Sequence, residues 1–228
     1  TISCWFKRPT ASIGYNKFLA TGANNALTVK VTDDGSSGGK FNWSGWGASV
    51  ATAYLPVFDD KWHHFAVTIN ADTMEVIIWI DGAAEGTATL TSVPSWSNGI
   101  WFPALDSMMK NFAEVTLWDV ALDATQMSEL YDGGCAKDPT THSLSSNLEH
   151  WYRFNPKLSP ADTTTTIYDR NASLDATVEL NGHPRNAYFI EGPYPNRVVP
   201  NKHYQELQGY GSTITLPMKT KEIYLQGV

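Results

Sequence analysis

Asp60-Lys61-Trp62-His63-His64-Phe65-Ala66-Val67-Thr68-Ile69, followed by a run from Met74 to Ile80 and then Asp81-Gly82, decides the fold. The two runs read as β-strands joined by the polar link Asn70-Ala71-Asp72-Thr73. Successive strand residues point to opposite faces, so His63, Phe65, Val67 and Ile69 share one side and Trp62, His64, Ala66 and Thr68 the other. In the second run Met74, Val76, Ile78 and Ile80 oppose Ile77 and Trp79. Neither strand has a fully polar face, which predicts a central hairpin covered on both sides. Asp81-Gly82 supplies the positive-φ chemistry of a tight turn.

Outward from this hairpin the same alternation recurs. Ile2-Ser3-Cys4-Trp5-Phe6-Lys7 reads as a strand, residues 17–21 as a short one, and Leu27-Thr28-Val29-Lys30-Val31-Thr32 alternates cleanly. Further strands are expected over residues 49–57, 87–90, 100–104 and 112–119. A helix is expected over 123–132. Asp123 is its N-cap, Gln126 stands three residues on, Met127, Leu130 and Tyr131 form an apolar stripe, and Gly133 is the stop. Beyond it, Glu149-His150-Trp151-Tyr152-Arg153-Phe154 is again strand-like, and Leu174, Ala176, Val178 and Leu180 alternate with Asp175, Thr177 and Glu179.

Trp62-His63-His64-Phe65-Ala66-Val67-Thr68, the ending Trp79-Ile80-Asp81-Gly82 and the late Phe112-Ala113-Glu114-Val115-Thr116-Leu117-Trp118 before a short helix resemble the laminin-G-like, concanavalin A-like jelly rolls. The resemblance covers residues 2–134. It implies an all-β, antiparallel jelly-roll β-sandwich with one short helix, and it leaves function open, because that superfamily hosts lectins, receptor modules, hydrolases and virion parts. The series from Tyr152 to Gly182 is expected to complete the same sandwich, since too few strands follow to bury another core. Residues 1–182 are therefore taken as the sandwich. From 183 to 228 the chain is punctuated by Pro184, Pro193, Pro195, Pro200 and Pro217, and reads as an extended C-terminal arm. Such an arm reaches along a neighbour to add a strand, or wraps its own domain.

At 228 residues the chain is long enough for one large sandwich. Its 16 basic and 23 acidic residues leave a net charge of −7, and with no Lys/Arg run this argues against a nucleic-acid or anionic-membrane partner. No apolar stretch reaches membrane-spanning length. Thr1 opens directly on a strand, which suggests an upstream segment or a processing cut. Cys4 and Cys135 are the two cysteines, read as buried thiols or as a long-range disulfide.

Aromatic residues are plentiful. Trp43 and Trp46 stand among small polar residues in Phe41-Asn42-Trp43-Ser44-Gly45-Trp46-Gly47, Tyr54 lies in the strand expected over 49–57, and Trp96 in the loop Pro94-Ser95-Trp96-Ser97-Asn98-Gly99. Indole and phenol faces pack on the apolar faces of sugars, so these four are the candidate carbohydrate-binding residues; the alternative for the tryptophan pair is inward packing. Asn42-Trp43-Ser44 and Asn171-Ala172-Ser173 are formal glycosylation acceptors. The acidic Asp33-Asp34-Gly35-Ser36-Ser37-Gly38-Gly39 turn has oxygen ligands that can hold calcium but matches no calcium-loop spacing; it is read as a solvated turn, with calcium as the alternative and no other cofactor expected.

Sandwich glycosidases need a carboxylate pair on one strand face, and Glu114 and Asp119 fall on opposite faces of a regular strand. The adjacent His63 and His64 likewise diverge. No nucleophile elbow, metal-ligand spacing or phosphate loop is present. The sequence therefore predicts a non-catalytic protein. Its first reading is a structural and interaction module of an assembled particle, a bacteriophage virion decoration or appendage. In that reading the chain is a homo-oligomer contacting other virion subunits through residues 183–228, with a cell-surface glycan as a further partner. The alternative is a lectin-like carbohydrate-binding domain of a secreted or cell-surface protein.

Overall fold

The computed structural model describes residues 1–7, 15–21, 27–33, 38–92, 100–103, 111–134, 136–153, 166–172, 176–180, 188–191, 205–208 and 212–216. Trp96, Cys135 and most of the acidic glycine-serine turn lie outside them. In chain order the strands are β1 (Ile2–Lys7), β2 (Tyr15–Thr21), β3 (Leu27–Asp33), β4 (Gly39–Gly45), β5 (Ala48–Ala51), β6 (Trp62–Asn70), β7 (Glu75–Ile80), β8 (Ala83–Thr89), β9 (Ile100–Pro103) and β10 (Asn111–Trp118). Helix α1 (Ala124–Tyr131) follows. The remaining strands are β11 (Leu148–Tyr152), β12 (Thr166–Ile167), β13 (Ala176–Leu180), β14 (Tyr188–Glu191), β15 (Gln205–Gln208) and β16 (Ser212–Leu216).

These strands build two antiparallel sheets, as expected of a jelly-roll sandwich. The first runs β14-β15-β10-β1-β6-β7-β8, with β11 also on β10; the second runs β12-β13-β16-β9-β2-β3-β4-β5. The β6–β7 hairpin lies inside the first sheet, flanked by β1 and β8. Its register pairs Phe65 with Ile80, Val67 with Ile78 and Ile69 with Val76 on the inter-sheet face, and Ala66 with Trp79 on the other. Phe65, Val67, Val76 and Ile78 are fully buried, each such side chain stabilising the fold by about 1.5–3 kcal/mol. Asp81 (φ 51°) and Gly82 (φ 79°) form the expected left-handed turn. At the other end Met74 takes φ 55° in the connecting turn, so β7 begins at Glu75 and not at Met74. Asn70 Oδ1 caps that turn by accepting from the Asp72 and Thr73 amides.

The outer face of the first sheet carries a second core. Trp79, Trp118 and Trp151 pack there with Met127 and Leu130 of α1. The indole N–H groups of these three find partners: Trp79 donates to Thr68 Oγ1 (3.0 Å), Trp118 to Thr116 Oγ1 (2.8 Å) and Trp151 to Glu114 (2.5 Å). The capping box that starts α1 is complete, with Asp123 accepting from the Gln126 amide and Gln126 from the Asp123 amide. Asp132 takes the left-handed cap position ahead of Gly133; an aspartate tolerates that conformation, so the helix stops one residue earlier than the glycine. Glu129 ties α1 to the segment behind it, accepting from Lys137 Nζ (2.8 Å), Ser143 Oγ (2.5 Å) and the Ser143 amide (3.0 Å). Those donors, Lys137 foremost, hold its carboxyl down at about 2.

Strands after α1 join the two sheets already formed. β11 pairs with β10, and β12 and β13 extend the second sheet. Within residues 183–228 the described strands pair inside this chain: β14 with β15, β15 with β10, and β16 with both β9 and β13. Cys4 is a free thiol on the inter-sheet face of β1, its pKa pushed well up by burial.

Candidate functional site

In the second sheet, the alternation that sends Val29, Val31, Phe41 and Trp43 into the core turns Thr28, Lys30, Thr32, Lys40, Asn42 and Ser44 to the opposite face. No helix covers this face among the described residues. Ser44, Ser49 and Ala51 are exposed, and Lys30, Thr32, Lys40 and Asn42 half-exposed; Thr28 alone of the group is buried. Asn42 Nδ2 donates to the Lys40 carbonyl (3.3 Å) and reaches Thr32 Oγ1 at 3.5 Å. These long contacts hold the amide loosely, so a ligand can take them over at little cost.

The backbone register links all eight strands of this sheet. Thr166, Thr177, Thr215, Trp101, Ala20, Thr28, Ser44 and Ser49 are consecutive cross-strand partners, one from each of the eight strands. Six of these positions are hydroxyl residues and one is a tryptophan, spaced at the strand-to-strand step of about 4.8 Å. Hydroxyl groups both donate and accept, as sugar hydroxyls do.

Of the three nominated residues that the structure describes, Tyr54 alone lies at this surface. Tyr54 is 51 % exposed, and Lys40 Nζ lies 5.7 Å from its ring centroid. Trp43 is 1 % exposed and belongs to the inter-sheet core, which removes it as a stacking platform: β4 runs from Gly39 to Gly45, and position 43 shares the inward parity of Phe41. Trp46 is half-buried at φ 43° in the β4–β5 turn, its ring 6.2 Å from that of Trp43 and its carbonyl accepting from the Thr91 and Ser92 amides. The pair therefore closes one end of the sandwich. Trp96 lies outside the described residues. The residues missed from sequence are Thr32, Lys40 and Asn42, and the signal for them was parity: each alternates with a core residue.

The other histidines and carboxylates singled out from the sequence are taken up in the fold, although the buried His64 Nδ1 has no hydrogen-bond partner. His63 bridges two carboxylates, Nδ1 to Asp81 Oδ2 at 2.7 Å and Nε2 to Asp59 Oδ1 at 3.0 Å. Burial pulls its pKa down, but Asp81 and Asp59 outweigh burial and the net shift is upward. His64, on the opposite face as expected, is buried against Trp5 and Tyr131; burial lowers its pKa to about 4 despite the charge of Asp81. His150 Nδ1 meets Asp169 at 2.6 Å, and Asp169 also accepts from three backbone amides. Glu114 is 4 % exposed at φ 49° beside a β-bulge in the β1–β10 pairing, its oxygens taken by Trp151 and by Arg153 Nε (3.2 Å). Asp119 accepts from Asn147 Nδ2 beyond the end of β10. No group of three or more His, Cys, Asp or Glu side chains among the described residues is placed to hold a metal ion.

A two-sheet antiparallel sandwich with α1 packed on the outer face of one sheet is a jelly-roll architecture. The sequence matches the concanavalin A-like lectin/glucanases superfamily over residues 1–128, more than half of the chain, and the protein belongs to that family. No curated protein matches it in sequence. Among solved structures it is similar to a candidate carbohydrate-binding protein from Bacteroides ovatus ATCC 8483, at 15 % identity and a TM-score of 0.54. That match covers 77 % of this chain and 51 % of the other, so the chain spans about half the length of the Bacteroides protein. A heptameric SAP-like pentraxin from Limulus polyphemus matches at 11 % identity and TM-score 0.37, over 57 % of this chain and 69 % of that one. The binding domain of botulinum neurotoxin DC, solved in complex with SialylT, matches at 10 % and 0.43, over 98 % and 80 %. At these identities the likeness is one of fold.

Proposed function

We propose that this chain is a lectin-like carbohydrate-binding module that holds a glycan on the outer face of its second sheet and performs no chemistry on it. The observation that carries the reading is the polar face of β3, β4 and β5, with the loosely held Asn42 amide between Thr32 and Lys40 and the exposed Tyr54 ring beside it. A few convergent polar groups next to an aromatic face is the composition that sugar recognition needs. The Bacteroides neighbour supports the reading at the level of fold.

A hydrolytic role would require two carboxylates flanking the bound sugar. The outward positions of β3 to β5, from Thr28 to Ala51, include no Asp or Glu, and Glu114 is spent on Trp151 and Arg153 behind the other sheet. The virion reading drew on residues 183–228 reaching a neighbour; that their described strands pair within this chain favours the lectin reading over it.

A glycan panel tests the proposal. The full chain is expected to bind at least one oligosaccharide class saturably. Asn42→Ala and Tyr54→Ala are each expected to weaken binding at least tenfold while unfolding at the wild-type temperature. Absence of binding across a broad panel, or binding indifferent to both substitutions, contradicts it.

A further inference from the structure

We infer that the site takes an internal stretch of an extended polysaccharide laid along β4 and β5, and not a chain end; the inference rests on the lectin-like reading above. The outward residues of β4 run Ser44, Asn42, Lys40, and β5 sets Ser49 opposite Ser44 and Ala51 opposite Asn42. Past the end of β5 the chain stays beside β4. The Thr52 amide donates to the Phe41 carbonyl (2.9 Å), and Gly39 and Leu55 exchange backbone hydrogen bonds at 2.7 and 2.9 Å. Ala53 and Tyr54 therefore follow Ala51 along the same line, and all three are exposed. Two adjacent tracks result. One is polar, from Ser44 through Asn42 to Lys40; the other carries the short side chains of Ser49, Ala51 and Ala53 and ends on the Tyr54 ring.

The pair of tracks matches the two surfaces of a sugar ring, which carries C–H groups on its faces and hydroxyls around its rim. Short side chains and the phenol receive the faces, while the hydroxyl, amide and ammonium alongside meet the rim. Lys40 Nζ, 5.7 Å from the Tyr54 centroid, steadies that ring over the end of the track. Length then selects the ligand. Four strand steps from Ser44 to Lys40 cover about 13 Å, so a single ring cannot engage Ser44 and Tyr54 together, and several joined rings can. Capture of a chain terminus calls for a concave pocket that closes on the last ring. Here the tracks run out onto exposed residues at both ends, Gly47 beyond Ser44 and Pro56 beyond Tyr54, so a longer chain can continue past either one.

The test is calorimetric titration of the full chain with linear gluco-, xylo-, manno- and malto-oligosaccharides, from disaccharide to hexasaccharide, each intact and with its reducing end converted to the alditol. In at least one series the affinity is expected to rise at least tenfold from disaccharide to tetrasaccharide. Conversion of the chain end is expected to change the affinity of the hexasaccharide less than twofold. Ala51→Leu, which raises the floor of the short-side-chain track at an exposed position, is expected to weaken hexasaccharide binding at least tenfold without moving the unfolding temperature. Tyr54→Ala is expected to flatten the dependence on length. A disaccharide that binds as tightly as the hexasaccharide, or binding lost on converting the chain end, overturns the inference and leaves the lectin reading standing. Length dependence that survives both substitutions, or binding confined to the branched termini of a glycan panel, does the same. No binding in any series, together with a silent panel, overturns both.

Discussion

The two sheets share one core and differ in what they do with their other face. The first buries it under α1, where Trp79, Trp118 and Trp151 give every indole N–H an acceptor and Glu129 fastens the segment behind the helix. The second leaves its outward positions to lysine, threonine, serine and asparagine. Stability is concentrated where the sandwich is three layers deep, and the proposed recognition is placed on the face that no helix covers among the described residues. Substitutions on the two faces should therefore separate cleanly, one set unfolding the protein and the other changing only what it binds.

The largest effect is expected at Trp79→Ala, which empties a buried indole site and should cost about 3–5 kcal/mol in urea unfolding. Next, Glu114→Ala leaves the buried Trp151 N–H without its acceptor and takes one carboxylate partner from Arg153, and should cost about 3 kcal/mol by the same measurement. Glu129→Gln should cost about 1 kcal/mol at neutral pH, modest because the carboxylate is a quarter exposed. Its folded pKa of about 2 lies below the unfolded value of about 4.3, so the contribution is complete above the latter and fades as pH falls toward the former. The difference between wild type and Glu129→Gln should shrink over that acid range.

His63 has the opposite sign. Its pKa is raised on folding, so the stabilisation it draws from Asp81 and Asp59 is complete below the unfolded value of about 6.5 and is lost as pH rises through the folded one. The advantage of wild type over Asp81→Asn should be greatest near pH 6 and decline on the alkaline side, read from thermal unfolding across pH. The smallest stability effects, within about 0.5 kcal/mol, are expected for Lys30→Gln and Asn42→Ala on the outward face. A loss of 2 kcal/mol there would erase the contrast between the faces.

Much of the first sheet could be read from the chain, because period-two alternation with apolar residues on both parities has few solutions. Phe65 and Ala66 went to opposite cores as Val67 and Trp79 demanded, and Asp123 with Gln126 announced the start of α1. The site was harder. Trp43 sits among glycine and serine, a composition that mimics a loop, yet it lies within β4 where parity with Phe41 takes it inward. Lys40 and Asn42 belong to the same alternation, but nothing local says whether an outward face will be covered by a helix or left bare. Glu114 was placed by a bulge, which resets parity without a sequence marker. The row through Trp101 joins strands from both ends of the chain and exists only through long-range pairing.

The central claim, that one outward face is a core and the other a binding surface, is tested most directly by mapping a bound oligosaccharide onto the amide resonances of the full chain. Titration with a glycan found by panel screening should shift the amides of β3, β4 and β5 and leave those of β6, β7 and α1 in place. Shifts concentrated at the β6–β7 hairpin or along α1, with β3 to β5 silent, would contradict it.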